Sequence, residues 1–171
     1  MQVFNDLFSD QELIDAEREL STEIKFRQAP AWLGSFDMAC FGEGYGQGRK
    51  LPPACRRLAL GSISRLPTHT PAGTPIRYNA AFVQRYRPGF KVLPHVDPSS
   101  NLGYTSILSL GTFDPPPVLS VDGFEDLSPA RGALVVLPCW LDGKPGPRHS
   151  VQSHEDQVGI RYTLIVNSVS F

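Results

Sequence analysis

The sequence predicts a mainly β domain with flanking N-terminal helices and a double-stranded β-helix core. Helical spacing of apolar residues is confined to the first part of the chain, and beyond residue 76 short apolar or alternating runs follow, bounded by Gly, Pro and Asp. At 171 residues the chain fits one domain. We therefore expect a helical, lid-like part over residues 1–76 and a jelly-roll or cupin-like core over residues 77–171.

Two helices are expected in the N-terminal part. The run from Ser9 to Glu12 has the form of a capping box, in which each of the two side chains accepts the other residue's backbone N–H. Apolar residues then recur at helical spacing, at Leu13, Ala16, Leu20 and Ile24. These features predict an amphipathic helix over about residues 9–25. Pro52 and Pro53 precede good helix formers, which predicts a second helix to about Leu66.

Short strands are expected over most of the rest of the chain. The runs cover residues 78–87, 91–96, 104–111, 117–121, 132–138, 148–152 and 159–169. Such a series closes into a double sheet, and the open mouth of that architecture is a natural place for a metal ion.

Composition excludes several classes of protein. No apolar stretch approaches the roughly 18 residues that a membrane span needs, and the net charge is −1. The three cysteines are an odd number without a Cys-x-x-Cys pair, which argues against a disulfide scaffold and a structural zinc site. We expect a soluble, cytoplasmic protein whose cysteines are reduced thiols.

The charges are unevenly distributed along the chain. Residues 1–43 hold nine acids and three bases, whereas residues 49–91 hold nine Lys or Arg and no acid. Two interpretations remain open. The basic residues could contact the phosphates of a nucleic acid, or they could pair with the acidic N-terminal helix.

A metal centre is indicated by His95 and Asp97. In an extended segment, residues two apart point to the same side, so both side chains can reach one ion. Two imidazoles and a carboxylate on one face of the metal are typical of non-haem Fe(II) sites. His149 is favoured as the third ligand over His154, because it follows a Pro-Gly-Pro turn and can begin a strand antiparallel to the one that carries Arg161.

Arg161 lies in an otherwise apolar, β-rich run, where a charge is costly unless it is paired. Its planar guanidinium can hold a carboxylate at two points. An internal salt bridge and an exposed edge position are the alternatives. Thr163 and Asn167 share its face by the period of two, as Gln84 and Tyr86 share a face of an earlier strand.

The order of these motifs resembles the Fe(II)- and 2-oxoglutarate-dependent dioxygenases, and most closely the AlkB-like family. Residues 84–97 resemble that family's Asn-x-Tyr-x-x-Gly stretch and its ligand pair, although Gln84 replaces the asparagine. Residues 105–111, 132–138 and 159–164 resemble three of its later strands, so that the likeness covers about residues 77–170.

The resemblance implies Fe(II), 2-oxoglutarate and O2 as cofactor and cosubstrates, and hydroxylation or oxidative demethylation as the reaction. Arg161 would anchor 2-oxoglutarate, and Tyr86 would donate a hydrogen bond to it. Gln84, Thr163 and Asn167 are further candidates for this cosubstrate site; Asn167 stands where the family has a second arginine.

The substrate that the resemblance favours is an alkylated nucleobase. A hydroxylase of a protein side chain, like the prolyl hydroxylases, or of a small metabolite is an alternative, as is a non-catalytic cupin-like metal-binding module. Aromatic and basic residues near the presumed mouth are candidate substrate contacts, as is Ser99, which stands where the family often has an acid. These candidates are Phe41, Tyr45, Arg49, Lys50, Ser99 and Trp140. A glycine-rich loop over residues 42–48 contains Tyr45 and is flanked by Phe41, Arg49 and Lys50. It lies in the part of the chain where AlkB-like proteins have a lid.

Overall fold

The computed structural model describes residues 1–43 and 48–170, and within them the protein is mainly β. The helices are α1 (Asp10–Thr22) and α2 (Pro53–Ile63). The strands are β1 (Gln2–Phe4), β2 (Arg27–Gln28), β3 (Asp37–Gly42), β4 (Ala80–Tyr86), β5 (Lys91–His95), β6 (Asn101–Asp114), β7 (Val118–Val121), β8 (Leu134–Pro138), β9 (Trp140–Leu141), β10 (Lys144–Pro145), β11 (His149–Gln152) and β12 (Val158–Val169).

The strands form two sheets. The large sheet has the order β1-β8-β6-β12-β4-β3-β2, with β9 beside β6 and β10 beside β9, and the small sheet has the order β5-β11-β7. All of these pairs are antiparallel except β6 with β9. Apolar residues of β7 in the small sheet pack against β8 of the large sheet. This arrangement confirms the predicted jelly-roll core.

The large sheet has one apolar face and one partly polar face because alternate residues of a strand point in opposite directions. Along β12, Tyr162, Leu164 and Val166 belong to the apolar core that also holds buried residues of α1 and α2. The intervening residues Arg161 and Thr163 are buried on the opposite face, toward the small sheet. The helices therefore cover the outer face of the large sheet and leave the inner face to the candidate site.

The capping box predicted at the start of α1 is present. Ser9 and Glu12 each accept the other residue's backbone N–H. Helix α2 begins at Pro53 without a cap of its own, and the carboxylate of Glu19 on α1 accepts the N–H groups of Ala54 and Cys55, each at 2.9 Å. One carboxylate thus fixes the two helices to each other. Both helices end about three residues earlier than the spacing of apolar residues predicted.

The N-terminal part is less helical than expected. β3 pairs with β4 over six residues, from Asp37 opposite Arg85 to Gly42 opposite Ala80, and β1 and β2 also join the large sheet. The prediction of a helical, lid-like part over residues 1–76 was therefore incomplete. The β3 run Asp37–Gly42 lacks a clean alternation because it is buried on both faces.

The predicted partner of β11 was wrong. β11 pairs with β5 and β7 of the small sheet, whereas β12, which carries Arg161, lies between β6 and β4 of the large sheet. Residues 153–157 carry the chain from one sheet to the other, and Ser153 and Gln157 are buried in this crossing. A turn signal predicts that a strand follows it but does not identify the sheet that the strand joins.

The three cysteines, Cys40, Cys55 and Cys139, are buried free thiols, as expected. No helix in the described part of the chain is long and apolar enough to cross a membrane.

Removing the Glu19 carboxylate should destabilise the fold, because the first N–H groups of α2 would lose their acceptors. We expect Glu19→Ala to lower the free energy of unfolding by about 1–2 kcal/mol, the range for loss of a helix cap. Urea denaturation followed by circular dichroism measures this. Glu155→Ala, at an exposed position in a turn, is the control and should change the value by less than about 0.5 kcal/mol. Equal losses in both variants would contradict the capping role.

Candidate metal centre

Three potential metal ligands converge where β5 and β11 meet. His95 ends β5, His149 begins β11, and the two residues are direct partners in the antiparallel register. Their ring centroids are 4.5 Å apart. Asp97 follows two residues after His95, and one ligand atom from each of the three side chains lies within 4.8 Å of the others. The structure therefore brings together the three residues that the sequence predicted as ligands.

Backbone hydrogen bonds orient both imidazoles. Nδ1 of His95 lies 2.8 Å from the carbonyl oxygen of Leu93, and Nδ1 of His149 lies 3.2 Å from that of Pro147. A carbonyl can only accept, so each Nδ1 carries a proton, and in a neutral ring the lone pair is then on Nε2. Burial lowers the pKa of His95, and the adjacent His149 lowers it further. A neutral imidazole with a bare Nε2 is the form that binds a metal.

Asp97 is held by two consecutive residues of the neighbouring segment. The thiol of Cys139 donates to Asp97 Oδ2 at 3.1 Å, and Trp140 Nε1 donates to the backbone oxygen of Asp97 at 2.7 Å. Burial and the Asp97 carboxylate raise the pKa of Cys139, which keeps the thiol protonated as a donor. Trp140 was predicted as a substrate contact. In the structure its indole N–H is bonded to the backbone of Asp97 instead.

Arg161 is a buried charge without an anionic partner. Its side chain is 1% exposed, and Nη2 donates to Ser109 Oγ at 3.0 Å. Nε and Nη1 have no hydrogen-bond partner among the described residues, and no carboxylate there forms an ion pair with this arginine. The rings of Tyr86 and Phe113 lie 5.4 and 5.7 Å from its guanidinium carbon. Burial lowers the pKa of Arg161 to about 10. A buried charge is costly unless it is paired, so Arg161 is a candidate binding site for an anion from outside the chain.

Polar side chains surround Arg161 on the inner face of the large sheet. The register places Tyr86 opposite Arg161 and Gln84 opposite Thr163. Thr163 Oγ1 donates to Gln84 Oε1 at 3.1 Å, and the Tyr86 hydroxyl also donates to that oxygen. Burial raises the pKa of Tyr86, and the charge of Arg161 acts in the opposite direction. The tyrosine is therefore a neutral hydroxyl beside a cation.

Asn167 lies on the same strand six residues beyond Arg161 and is also buried. Thr105 Oγ1 donates to its side-chain oxygen. This amide oxygen is thus already bonded within the protein, and only the rest of the amide could contact a ligand.

Phe41 does not lie at a mouth near the metal, contrary to the prediction. Its side chain is 4% exposed and belongs to the core between the large sheet and the helices. The guanidinium of Arg49 lies 4.9 Å from the centroid of the Phe41 ring. Strand β3 was not predicted, so the sequence could not show that the Phe41 side chain points toward the helices.

Arg49 and Lys50 line a cavity of about 450 Å³ together with Phe41 and residues of α2. This cavity lies on the helix side of the large sheet, whereas the inner face of that sheet is turned toward the small sheet that carries His95 and His149. Ser99 is exposed in the loop two residues after Asp97. Tyr45 lies outside the described residues.

In the described part of the chain, no salt bridge joins the basic residues of 49–91 to an acid of α1. Arg77 pairs with Glu43, and Arg85 and Arg87 pair with Asp37. The acids of α1 have other partners: Glu17 and Asp10 bind Arg131, and Glu19 caps α2. Within the described ranges no ion pair involves Arg49, Lys50 or Arg56, which all border the cavity.

Ser109 and Cys139 contact site residues and were not predicted. Ser109 lies on a predicted strand, where the period of two places it on the same face as Ile107. That spacing could have predicted a hydroxyl on the inner face of the sheet. Cys139 gave no signal, because its contact with Asp97 spans 42 residues and depends on how β8 leads into β9.

Comparison with known proteins gives the fold. No family model and no curated protein matches the chain. A prolyl-4-hydroxylase from Pseudomonas putida has a similar structure, with 15% identity, a TM-score of 0.61 and coverage of 99% of this chain and 92% of that one.

Two further solved structures are similar. A 2OG-Fe(II) oxygenase family oxidoreductase from Burkholderia pseudomallei has 17% identity, a TM-score of 0.61 and coverage of 96% and 82%. OsALKBH1 has 12% identity, a TM-score of 0.62 and coverage of 98% and 97%. The chain therefore has the fold of these oxygenases, as the resemblance in its sequence implied.

The ligand assignment predicts a sharp pattern of metal loss. His95→Ala, Asp97→Ala and His149→Ala should each remove most of the bound Fe(II), because each leaves only two protein ligands, while the domain stays folded. Anaerobic Fe(II) titration, with circular dichroism as the check on folding, measures this. His154→Ala is the control, since His154 is exposed in the crossing after β11. Loss of iron in the His154 variant with retention in the His149 variant would refute the assignment.

Proposed function

We propose that the protein is an Fe(II)- and 2-oxoglutarate-dependent dioxygenase. The observation that carries the proposal is the combination of a His-Asp-His group with a buried arginine that has no anionic partner in the described part of the chain. The first fits a metal that keeps open coordination positions. The second fits a cosubstrate with a carboxylate at a distance from that metal.

The residues present fit both groups. His95, Asp97 and His149 would hold Fe(II), and Arg161, aided by the hydroxyls of Tyr86 and Thr163, would hold the far carboxylate of 2-oxoglutarate. Iron held there would supply the activation of O2: one oxygen atom would oxidise 2-oxoglutarate to succinate and CO2, and the other would convert a C–H bond of the substrate to C–OH.

The contribution of the chain itself is orientation and exclusion of water. The guanidinium of Arg161 is buried between two aromatic rings, so a carboxylate bound there would be shielded from solvent and its attraction to the arginine strengthened. A non-catalytic metal-binding module would have no use for such a buried cation. We therefore favour an enzyme, in which cofactors carry the chemistry and the protein binds and orients them.

An alkylated nucleobase is the substrate that we favour. Arg49, Lys50 and Arg56 are exposed cations without ion-pair partners among the described residues. They border the cavity on the helix side of the large sheet, so we expect them to neutralise phosphates of the strand that carries the base and not to contact the base itself. A base would reach the metal from a single strand or after flipping out of a duplex. The similarity to OsALKBH1 is compatible with this choice. Removal of a methyl from nitrogen would follow from hydroxylation of that methyl and release of formaldehyde.

A protein side chain is the second candidate substrate. One of the similar solved structures is a prolyl-4-hydroxylase, the net charge of this chain is only −1, and Phe41 does not lie near the candidate metal ligands. A small metabolite belongs to the same alternative, since it too requires no polyanion-binding surface.

Arg161→Ala should weaken binding of 2-oxoglutarate by about 2–5 kcal/mol, the range for removing one partner of a buried charged hydrogen bond, while Fe(II) stays bound. Titration of the anaerobic iron-loaded protein with 2-oxoglutarate measures the change. Arg18→Ala is the control, because Arg18 is an exposed residue of α1 that pairs with Asp15. Unchanged affinity in the Arg161 variant would place the carboxylate elsewhere.

The nucleic-acid proposal predicts salt-dependent binding of single-stranded oligonucleotides. The logarithm of the affinity should fall with the logarithm of salt concentration at a slope of about −0.7 for each phosphate contact. The triple variant Arg49→Ala, Lys50→Ala, Arg56→Ala should flatten the slope, and Lys144→Ala should not. Fluorescence anisotropy of a labelled oligonucleotide provides the measurement.

Turnover separates the two substrate classes. Iron-loaded protein should form succinate faster with a methylated oligonucleotide than with its unmethylated counterpart or with proline-rich peptides. Absence of oligonucleotide binding at low salt, together with peptide-stimulated succinate formation, would replace the nucleobase with a peptide substrate. Absence of succinate formation under every condition would remove the dioxygenase proposal.

A further inference from the structure

The contact between Cys139 and Asp97 lies at the candidate metal centre, although Cys139 is not one of the three proposed ligands. A carboxylate has two oxygens, and Oδ2 of Asp97 accepts the thiol hydrogen at 3.1 Å. We infer that Cys139 is a positioning residue: its thiol holds one carboxylate oxygen of Asp97 so that the other is presented to the metal beside His95 and His149. This inference rests on the proposed metal centre.

The position of the thiol is fixed by the backbone on two sides. Cys139 N–H donates to the carbonyl oxygen of Gly103 at 2.8 Å. On the other side Gly146 packs so closely that a Cβ there would lie 2.1 Å from the oxygen of Pro138 and 2.5 Å from that of Cys139. The side chain of Cys139 is 1% exposed. The sulfur therefore has little freedom to move away from Asp97.

Trp140 supports the same ligand through its main chain. Its indole N–H donates to the backbone oxygen of Asp97 at 2.7 Å, so consecutive residues bind the side chain and the backbone of one ligand. Such contacts keep a ligand residue from rotating about its own bonds and are typical of metal sites. A thiol is a weak donor, so it orients the carboxylate while withdrawing little of the charge that attracts the cation.

Among the described residues, neither Cys40 nor Cys55 has a hydrogen bond to a candidate metal ligand. Cys55 is 0% exposed in α2, and its thiol lies 3.6 Å from the carbonyl oxygen of Ala16 in the helix core. Cys55 is therefore a matched control for the loss of a buried thiol that has no contact with the metal centre.

The experiment measures metal affinity rather than turnover. Cys139→Val fills the space without a donor, and Cys139→Ser keeps a donor. Fe(II) is titrated anaerobically into each variant, and Co(II) is used as a second probe because its visible spectrum reports the geometry of its ligands. Circular dichroism confirms that each variant is folded.

We expect Cys139→Val to weaken Fe(II) binding by about 10- to 100-fold, the range for loss of a group that orients a metal ligand, and to change the Co(II) spectrum. Cys139→Ser should retain most of the affinity and the wild-type spectrum. Trp140→Phe should weaken binding in the same direction, since it keeps the ring and loses the donor. Cys55→Val should leave metal affinity unchanged, whatever it does to the unfolding temperature.

Wild-type affinity and spectrum in folded Cys139→Val would make Cys139 a packing residue and overturn this inference, while the proposed enzyme would stand. Failure of the wild-type protein to bind either metal would overturn both. If the valine variant does not fold, Cys139→Ala replaces it, and equal affinity of the alanine and serine variants would overturn the inference in the same way.

Discussion

The pairing of β12 with β4 on one side and β6 on the other is the constraint on which the rest of the structure depends. Since alternate residues of a strand face opposite ways, this central position sends Leu164 and Val166 into the helix core and Arg161 and Thr163 toward the small sheet. A shift of one residue in the register would turn Arg161 toward the helices and Leu164 toward the polar inner face of the sheet. The hydrophobic effect that holds the helices on the sheet thus also orients the groups of the candidate site.

The small sheet brings two residues that are 54 positions apart in the chain into one cluster. The antiparallel register sets His95 directly opposite His149, and hydrogen bonds from the two rings to nearby carbonyl oxygens orient them without help from other elements. Asp97 depends on a different segment, because Cys139 and Trp140 follow β8 of the large sheet. The candidate metal ligands are therefore oriented from both sheets, and their arrangement requires the two sheets to be packed together.

Much of this was predictable because it depends on local pattern. The capping box of Ser9 and Glu12 predicts the start of α1. The alternation around Arg161 predicts which residues of β12 share a face, and the spacing of His95 and Asp97 places both side chains on one side of the chain. The predictions that failed concern residues whose contacts are with distant parts of the chain. β3 is buried on both faces and its sequence has no alternation to detect, so Phe41 was predicted near the mouth although it lies in the core beside the helices. The partner of β11 is fixed by the crossing of residues 153–157 between the sheets, and the contact of Cys139 with Asp97 by the packing of distant loops.

The unpaired guanidinium of Arg161 also links occupancy of the site to the stability of the fold. Among the described residues, two nitrogens of this buried cation have no hydrogen-bond partner, which lowers the free energy of unfolding. A carboxylate that bound the arginine in the native state would remove part of that penalty. By mass action such an anion binds the folded chain and not the unfolded one, so resistance to unfolding should rise with its concentration. Short dicarboxylates that reach the arginine without engaging the metal would have this effect as well. The protein would then be least stable when such metabolites are scarce, and its lifetime in the cell would depend on their supply.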